Sequence, residues 1–143
     1  MKIVRFLAVH LAALELQDAQ TFFRSEFGNP NYGAALEQSP HAFTAIEGDT
    51  VLCCAGVHEV WDGRAVAWAL MSKHAGAHLR TIHRAAKGFI EQSPWRRVEA
   101  MVESGFEPGH RWARMLGFSC ETPDAMRGYS PTGVDFYLYS KVK

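Results

Sequence analysis

Residues Arg64 to Gly117, in one-letter code RAVAWALMSKHAGAHLRTIHRAAKGFIEQSPWRRVEAMVESGFEPGHRWARMLG, spell a strand, a glycine-containing turn, a basic helix, a strand and a helix in succession. Arg64 to Met71 is apolar enough for a buried strand, Ser72 to Gly76 is a short turn, and Ala77 to Gln92 has helical periodicity with Ser93-Pro94 as its stop. In that helix Leu79, Ile82, Ala86, Phe89 and Ile90 make an apolar stripe, and Arg80, Arg84 and Lys87 a basic one. Arg97 to Glu103 reads as a further strand and Pro108 to Leu116 as a short helix ended by Gly117. A strand that delivers backbone N–H groups and a helix start to one point makes a site for a phosphate-bearing ligand.

Working outward, residues 2 to 9 carry Ile3, Val4, Phe6, Leu7 and Val9 and read as a first strand; Leu11 to Phe27 has apolar residues near helical intervals. Gly28-Asn29-Pro30-Asn31 breaks that helix, a short helical piece runs from Tyr32 to Gln38, and Ser39-Pro40 breaks the chain again. His41 to Glu47 and Thr50 to Trp61 then read as two strands around Gly48-Asp49. Asp62-Gly63 joins the second of these to Arg64–Met71, a strong hairpin signal that gives three consecutive antiparallel strands. Downstream, Ser130-Pro131-Thr132-Gly133 turns the chain into a last strand, Asp135 to Val142. There is no internal repeat, low-complexity segment or linker, so the 143 residues read as one domain with a real core.

This order of elements, with Arg111-Trp112-Ala113-Arg114-Met115-Leu116-Gly117-Phe118 after it, resembles the GNAT superfamily of N-acetyltransferases. The family's loop after the fourth strand reads Gln/Arg-x-x-Gly-x-Gly/Ala; here Lys73-His74-Ala75-Gly76-Ala77-His78 stands in that place, with Gly76 at the central glycine, Lys73 a cationic stand-in and His78 replacing the final small residue. The family's Leu-Gly-Phe is matched by Leu116-Gly117-Phe118, while the tyrosine often found four residues before that glycine is Ala113 here. The resemblance implies an α/β (α+β) fold, a mixed and mainly antiparallel sheet of six to seven strands flanked by helices on both faces. It also implies a single acyl-CoA-binding domain over residues 1–143 that takes acetyl-CoA as cosubstrate and acetylates a primary amine of an unknown acceptor, a small molecule or a protein. The chain also looks like small GNAT-like proteins of tailed bacteriophages, some of them virion or core components. The alternative this implies is a catalytically inactive structural or assembly protein whose partners are phage virion proteins.

The bulk properties exclude several classes. Fifteen basic and fifteen acidic residues cancel, so no global field favours nucleic acid or an anionic membrane. No apolar run approaches the roughly 18 residues that span a bilayer, and Met1 to Phe6 lacks the build of a secretory signal. Cys53, Cys54 and Cys120 do not suggest a disulfide framework. The expectation is a protein of the reducing cytoplasm, the host's if the chain is phage-encoded, or of the virion.

If the turn holds CoA, the cofactor-binding set is Leu70, Met71, Ser72, Lys73, His74, Ala75, Gly76, Ala77, His78 and Arg80: amides around Ala75 to His78 for the pyrophosphate, Lys73 and Arg80 for charge, and a backbone N–H of Leu70 to Ser72 for the developing oxyanion. The bland alternative is an ordinary strand-to-helix connection with a solvated basic rim. Amine acetylation requires a base; Glu59 is the first candidate, with His58, Glu99 and Glu103 behind it. With Ala113 unable to donate a proton, Tyr129 is the candidate acid, Tyr137 and Tyr139 being the other phenols. His74 and His78 are four apart, but the zinc pattern H-E-x-x-H needs glutamate where Ala75 stands, so no metal is expected. Cys53 and Cys54 point to opposite faces of a strand and read as packing, as do Trp68 and Trp112.

Overall fold

The computed structural model describes residues 1–18, 20 and 30–143. Seven strands, β1 (Lys2–Arg5), β2 (Ala42–Glu47), β3 (Thr50–Trp61), β4 (Arg64–Met71), β5 (Arg97–Glu103), β6 (Ser119–Cys120) and β7 (Phe136–Val142), form one sheet in the order β1-β2-β3-β4-β5-β7-β6. Among the described residues the α-helices are α1 (Ala8–Ala13), α2 (Pro30–Glu37), α3 (Leu79–Gln92) and α4 (Glu107–Met115). The β1–β2, β2–β3, β5–β7 and β6–β7 pairs are antiparallel and β4–β5 is parallel, so the sheet is mixed and mostly antiparallel, as expected. Gly48 and Gly63 adopt φ of +57° and +90°, which is why glycine closes both hairpins.

The N-terminal reading needs correction. The first strand stops at Arg5, because His10 Nδ1 accepts the Leu7 N–H at 3.1 Å and starts a helix at Ala8. That helix ends at Ala13, and Leu14 is extended at φ −73°, ψ 120°. Leu14 and Leu16 are buried on either side of exposed Glu15, a period of two that the helical reading of Leu11 to Phe27 overlooked. The rest of that expected helix, Ala19 and Thr21 to Phe27, lies outside the described residues. The short strand β6 was not anticipated, since two residues carry no periodicity.

Two compact units are distinguished. The first comprises Met1–His58 and Trp68–Ala85. Its core gathers Phe6, Leu14, Leu16, Ala42, Val51, Cys54 and Leu70, with Leu11, Leu36 and Trp68 packed on it. Phe6 is fully buried and meets Trp68 edge-on at 5.7 Å, an arrangement aromatic pairs favour. Gly56 on β3 lies where a Cβ would come within 2.5 Å of the His41 carbonyl and 2.8 Å of Ala42 Cα, so the backbones of β2 and β3 approach there only because no side chain intervenes. Burial pushes the Cys53 and Cys54 thiols up to about 12, consistent with packing residues.

The second unit comprises Glu59–Ala67 and Ala86–Lys143. β5 and β7 pair along their whole length, from Arg97↔Val142 to Glu103↔Phe136. Ile90, Trp95, Val98, Phe118, Phe136 and Tyr139 are buried in it. On α3, Ile82 and Ile90 are buried as the apolar stripe requires, whereas Leu79 at the helix start is exposed.

Candidate functional site

β4 delivers the chain to the turn in the first unit. Leu70 and Met71 are buried, so their side chains belong to the core and only their backbone is available for chemistry. The Met71 N–H donates to Gln20 Oε1 at 2.8 Å and the Ser72 N–H to the Leu52 carbonyl at 2.8 Å. These bonds occupy two of the three amides expected to meet an oxyanion.

Beyond Ser72 the N–H of Lys73 donates to the Glu15 carbonyl (2.9 Å), His74 to Ser72 Oγ (3.0 Å), Ala75 to the Ser72 carbonyl (3.2 Å) and His78 to the Ala75 carbonyl (2.8 Å). Gly76 to His78 form one 3₁₀ turn that leads into α3. Among the described hydrogen bonds the amides of Gly76 and Ala77 have no acceptor. They are the orphan donors that every helix start leaves. Gly76 is exposed, and a Cβ there would meet nothing within 4 Å. The turn therefore fits a phosphate at Gly76 and Ala77, over a narrower stretch than Ala75 to His78.

The side chains of the turn carry charge into solvent. Lys73 Nζ and His74 Nε2 both lie 3.1 Å from Glu15 Oε2, all three side chains about half exposed. Lys73 and then His74 hold the Glu15 carboxyl below its ordinary value. A shallow pocket of about 240 Å³ is lined by Glu47, Thr50, Leu52, His74 and His78. Arg80 is exposed at the start of α3.

Glu59 and Tyr129 both fall in the second unit. Glu59 is exposed near the end of β3 and accepts the Trp95 Nε1–H on Oε2 at 3.2 Å. Tyr129 is half exposed, its ring 5.4 Å from that of Phe136. Of the other carboxylates, Glu99 is buried at 4% exposure and receives Arg64 Nε (3.0 Å), Arg64 Nη2 (2.7 Å) and Arg97 Nε (2.5 Å). Arg97 in turn grips Glu121 with both terminal nitrogens at 2.6 and 2.7 Å, and Ser140 Oγ donates to Glu121 at 2.6 Å. Arg64 above all holds the Glu99 carboxyl low, and Arg97 and Ser140 bring Glu121 down to about 2. A carboxylate held low by guanidinium groups takes a proton poorly, which removes Glu99 from the candidate bases.

Sequence reasoning missed His110. It is buried on α4; Nδ1 lies 2.9 Å from the Tyr139 hydroxyl and Nε2 lies 3.1 Å from the Ser104 carbonyl. The carbonyl can only accept, so the proton sits on Nε2 and the Tyr139 hydroxyl donates to Nδ1. Tyr139, at 1% exposure, is thereby engaged in packing and in this bond. The available signal was the position of His110 among Phe106, Ala113 and Leu116 at helical spacing. Among the described residues no group of three or more His, Cys, Asp or Glu converges as a metal set.

No family model and no curated protein matches the sequence. The solved structures are different. A GNAT-family acetyltransferase from Bacillus anthracis superimposes with a TM-score of 0.69 over 98% of this chain and 93% of that one, at 13% identity. The chain has the GNAT acetyltransferase fold. Ard1 from Thermoplasma volcanium superimposes on the chain with a TM-score of 0.75, 13% identity and coverage of 99% and 96%. Aminoglycoside 6'-acetyltransferase type Ii does so with 0.70, 11% identity and coverage of 99% and 97%. In this GNAT-fold chain the position of the family's frequent tyrosine, Ala113, is buried at 6% exposure and offers a methyl group.

Proposed function

We propose that the chain is an acetyl-CoA-dependent N-acetyltransferase, a single acyl-CoA-binding domain over residues 1–143 that works in the cytoplasm on a primary amine of a small molecule or protein. One observation carries the reading: at the end of β4 in a GNAT fold, Gly76 and Ala77 present amides that have no acceptor among the described hydrogen bonds, in a turn that carries Lys73 and leads to Arg80. Bound acetyl-CoA would supply an acetyl thioester open to attack by an amine. Gly76 and Ala77 donate to the pyrophosphate oxygens; Lys73 and Arg80 offset their charge; Ser72, His74, Ala75 and His78 shape the turn. In this proposal the new N–C bond would form as the C–S bond breaks, with Glu59 the residue proposed to take the proton that the amine gives up and Tyr129 the one proposed to return a proton to the departing sulfur. The Met71 N–H, once Gln20 releases it, would stabilise the carbonyl oxygen as negative charge develops there.

The rival is a catalytically inactive structural or assembly role, for which the only arguments are Ala113 and the bonded amides of Lys73 to Ala75. Calorimetric titration of the protein with acetyl-CoA separates the two. Saturable binding that Gly76→Trp abolishes, with an unchanged melting curve because Gly76 faces open space, supports the enzyme. Glu59→Gln should then lower turnover by about a hundredfold in an amine screen. Absence of heat at millimolar ligand would overturn the reading.

A further inference from the structure

The carboxylate of Glu15 occupies the two basic side chains of the turn. Its place is set by backbone: Glu15 accepts the Lys73 N–H at its carbonyl, Leu16 bridges Ser72, and the Gln17 N–H donates to the Met71 carbonyl at 3.0 Å. Leu14 and Leu16 are buried on either side, so alternation turns Glu15 outward, directly beside Lys73 and His74. Glu15 is thus anchored through its backbone, while its carboxylate and the side chains of Lys73 and His74 are all about half exposed. Asp49 joins Glu15 and His74 around a small pocket, and Glu47 lines the neighbouring one with His74 and His78.

We infer that Glu15 is a built-in counter-anion of the turn, which a phosphate-bearing ligand must displace from Lys73 and His74 before it seats. The inference rests on the proposed reading of the turn as a phosphate site. An incoming phosphate meets a lysine that is already neutralised and a carboxylate that repels it. The exchange of one anion for another sets the affinity below what the amides and Lys73 alone would give. Exposed ion pairs contribute little individually, so Glu15→Gln should tighten binding by about two- to fivefold.

The test is calorimetric titration of CoA and, separately, inorganic pyrophosphate into the native chain, Glu15→Gln, Lys73→Gln and the double variant, at low ionic strength and at about 0.5 M salt. The inference expects Glu15→Gln to bind both probes more tightly at low salt, the gain to shrink at high salt, and the gain to vanish in the Lys73→Gln background. If the native chain binds and Glu15→Gln binds equally or more weakly, the carboxylate only positions Lys73 and this inference falls alone. If no protein binds either probe, the phosphate reading of the turn falls as well.

Discussion

The two units handle charge in opposite ways. In the first, the buried polar residues among those described are Gln20, Thr44 and Ser72, and its ion pairs at the turn, Glu15 with Lys73 and His74, stand in solvent. In the second, the buried set includes Glu99 and His110, and Glu99 is bound by two guanidinium groups. Solvated pairs are weak and exchangeable, which suits a place where a ligand's anion takes over from the protein's own. A buried carboxylate held by two arginines is committed to structure, because releasing either partner exposes an uncompensated charge. Burial separates a charge available for binding from one spent on the fold.

Substitutions in each unit can break this contrast, beginning with the largest effect. Gly56→Ala puts a methyl group against the His41 carbonyl and Ala42 Cα, neither of which can rotate away, and should destabilise the chain by about 3 kcal/mol in denaturant titration. A cost near zero would mean that β2 and β3 part easily, and that the first unit is not held by backbone approach.

Next comes Glu99→Ala, which leaves Arg64 and Arg97 facing each other without their shared carboxylate. The arginines are partly exposed and water screens part of the loss, so a cost of about 2 kcal/mol is expected, read as a lowered midpoint. Glu15→Ala should leave that midpoint in place. Equal effects from the two substitutions would erase the contrast.

The smallest effect is one of pH. The folded-state value of Glu121 lies near 2, below its ordinary value, so its bond to Arg97 contributes stability that is present above the ordinary carboxylate range and is lost as pH falls toward about 2. Glu121→Gln should lower the melting temperature at neutral pH and converge with the native chain near pH 2. Parallel curves down to that pH would show that the Arg97–Glu121 pair contributes nothing measurable.

Much of the fold was legible because its signals are local. Thr50–Trp61, Arg64–Met71 and Arg97–Glu103 are strands at the expected bounds, since long apolar runs between glycine turns admit little else. The N-terminal segment was misread because Leu11 and Leu14 fit a helix as well as Leu14 and Leu16 fit a strand; pairing of Leu16 with Ser72, 56 positions apart, decided it. The candidate turn was found through its glycine and its cation. Which of its amides are free was not legible, because their partners Glu15, Gln20 and Leu52 come from distant parts of the chain.

The sequence by itself determined the order of strands and helices from Ala42 to Met115, the hairpin glycines, the neutral net charge and the cationic turn, because each depends on neighbours along the chain or on composition. Only the tertiary structure decided that Glu99 is a structural ion, that the Tyr139 hydroxyl and His110 meet in a buried hydrogen bond, and that Glu15 sits on Lys73. Those outcomes depend on which side chains long-range pairing brings within about 3 Å of each other and away from water, a relation that linear spacing does not encode.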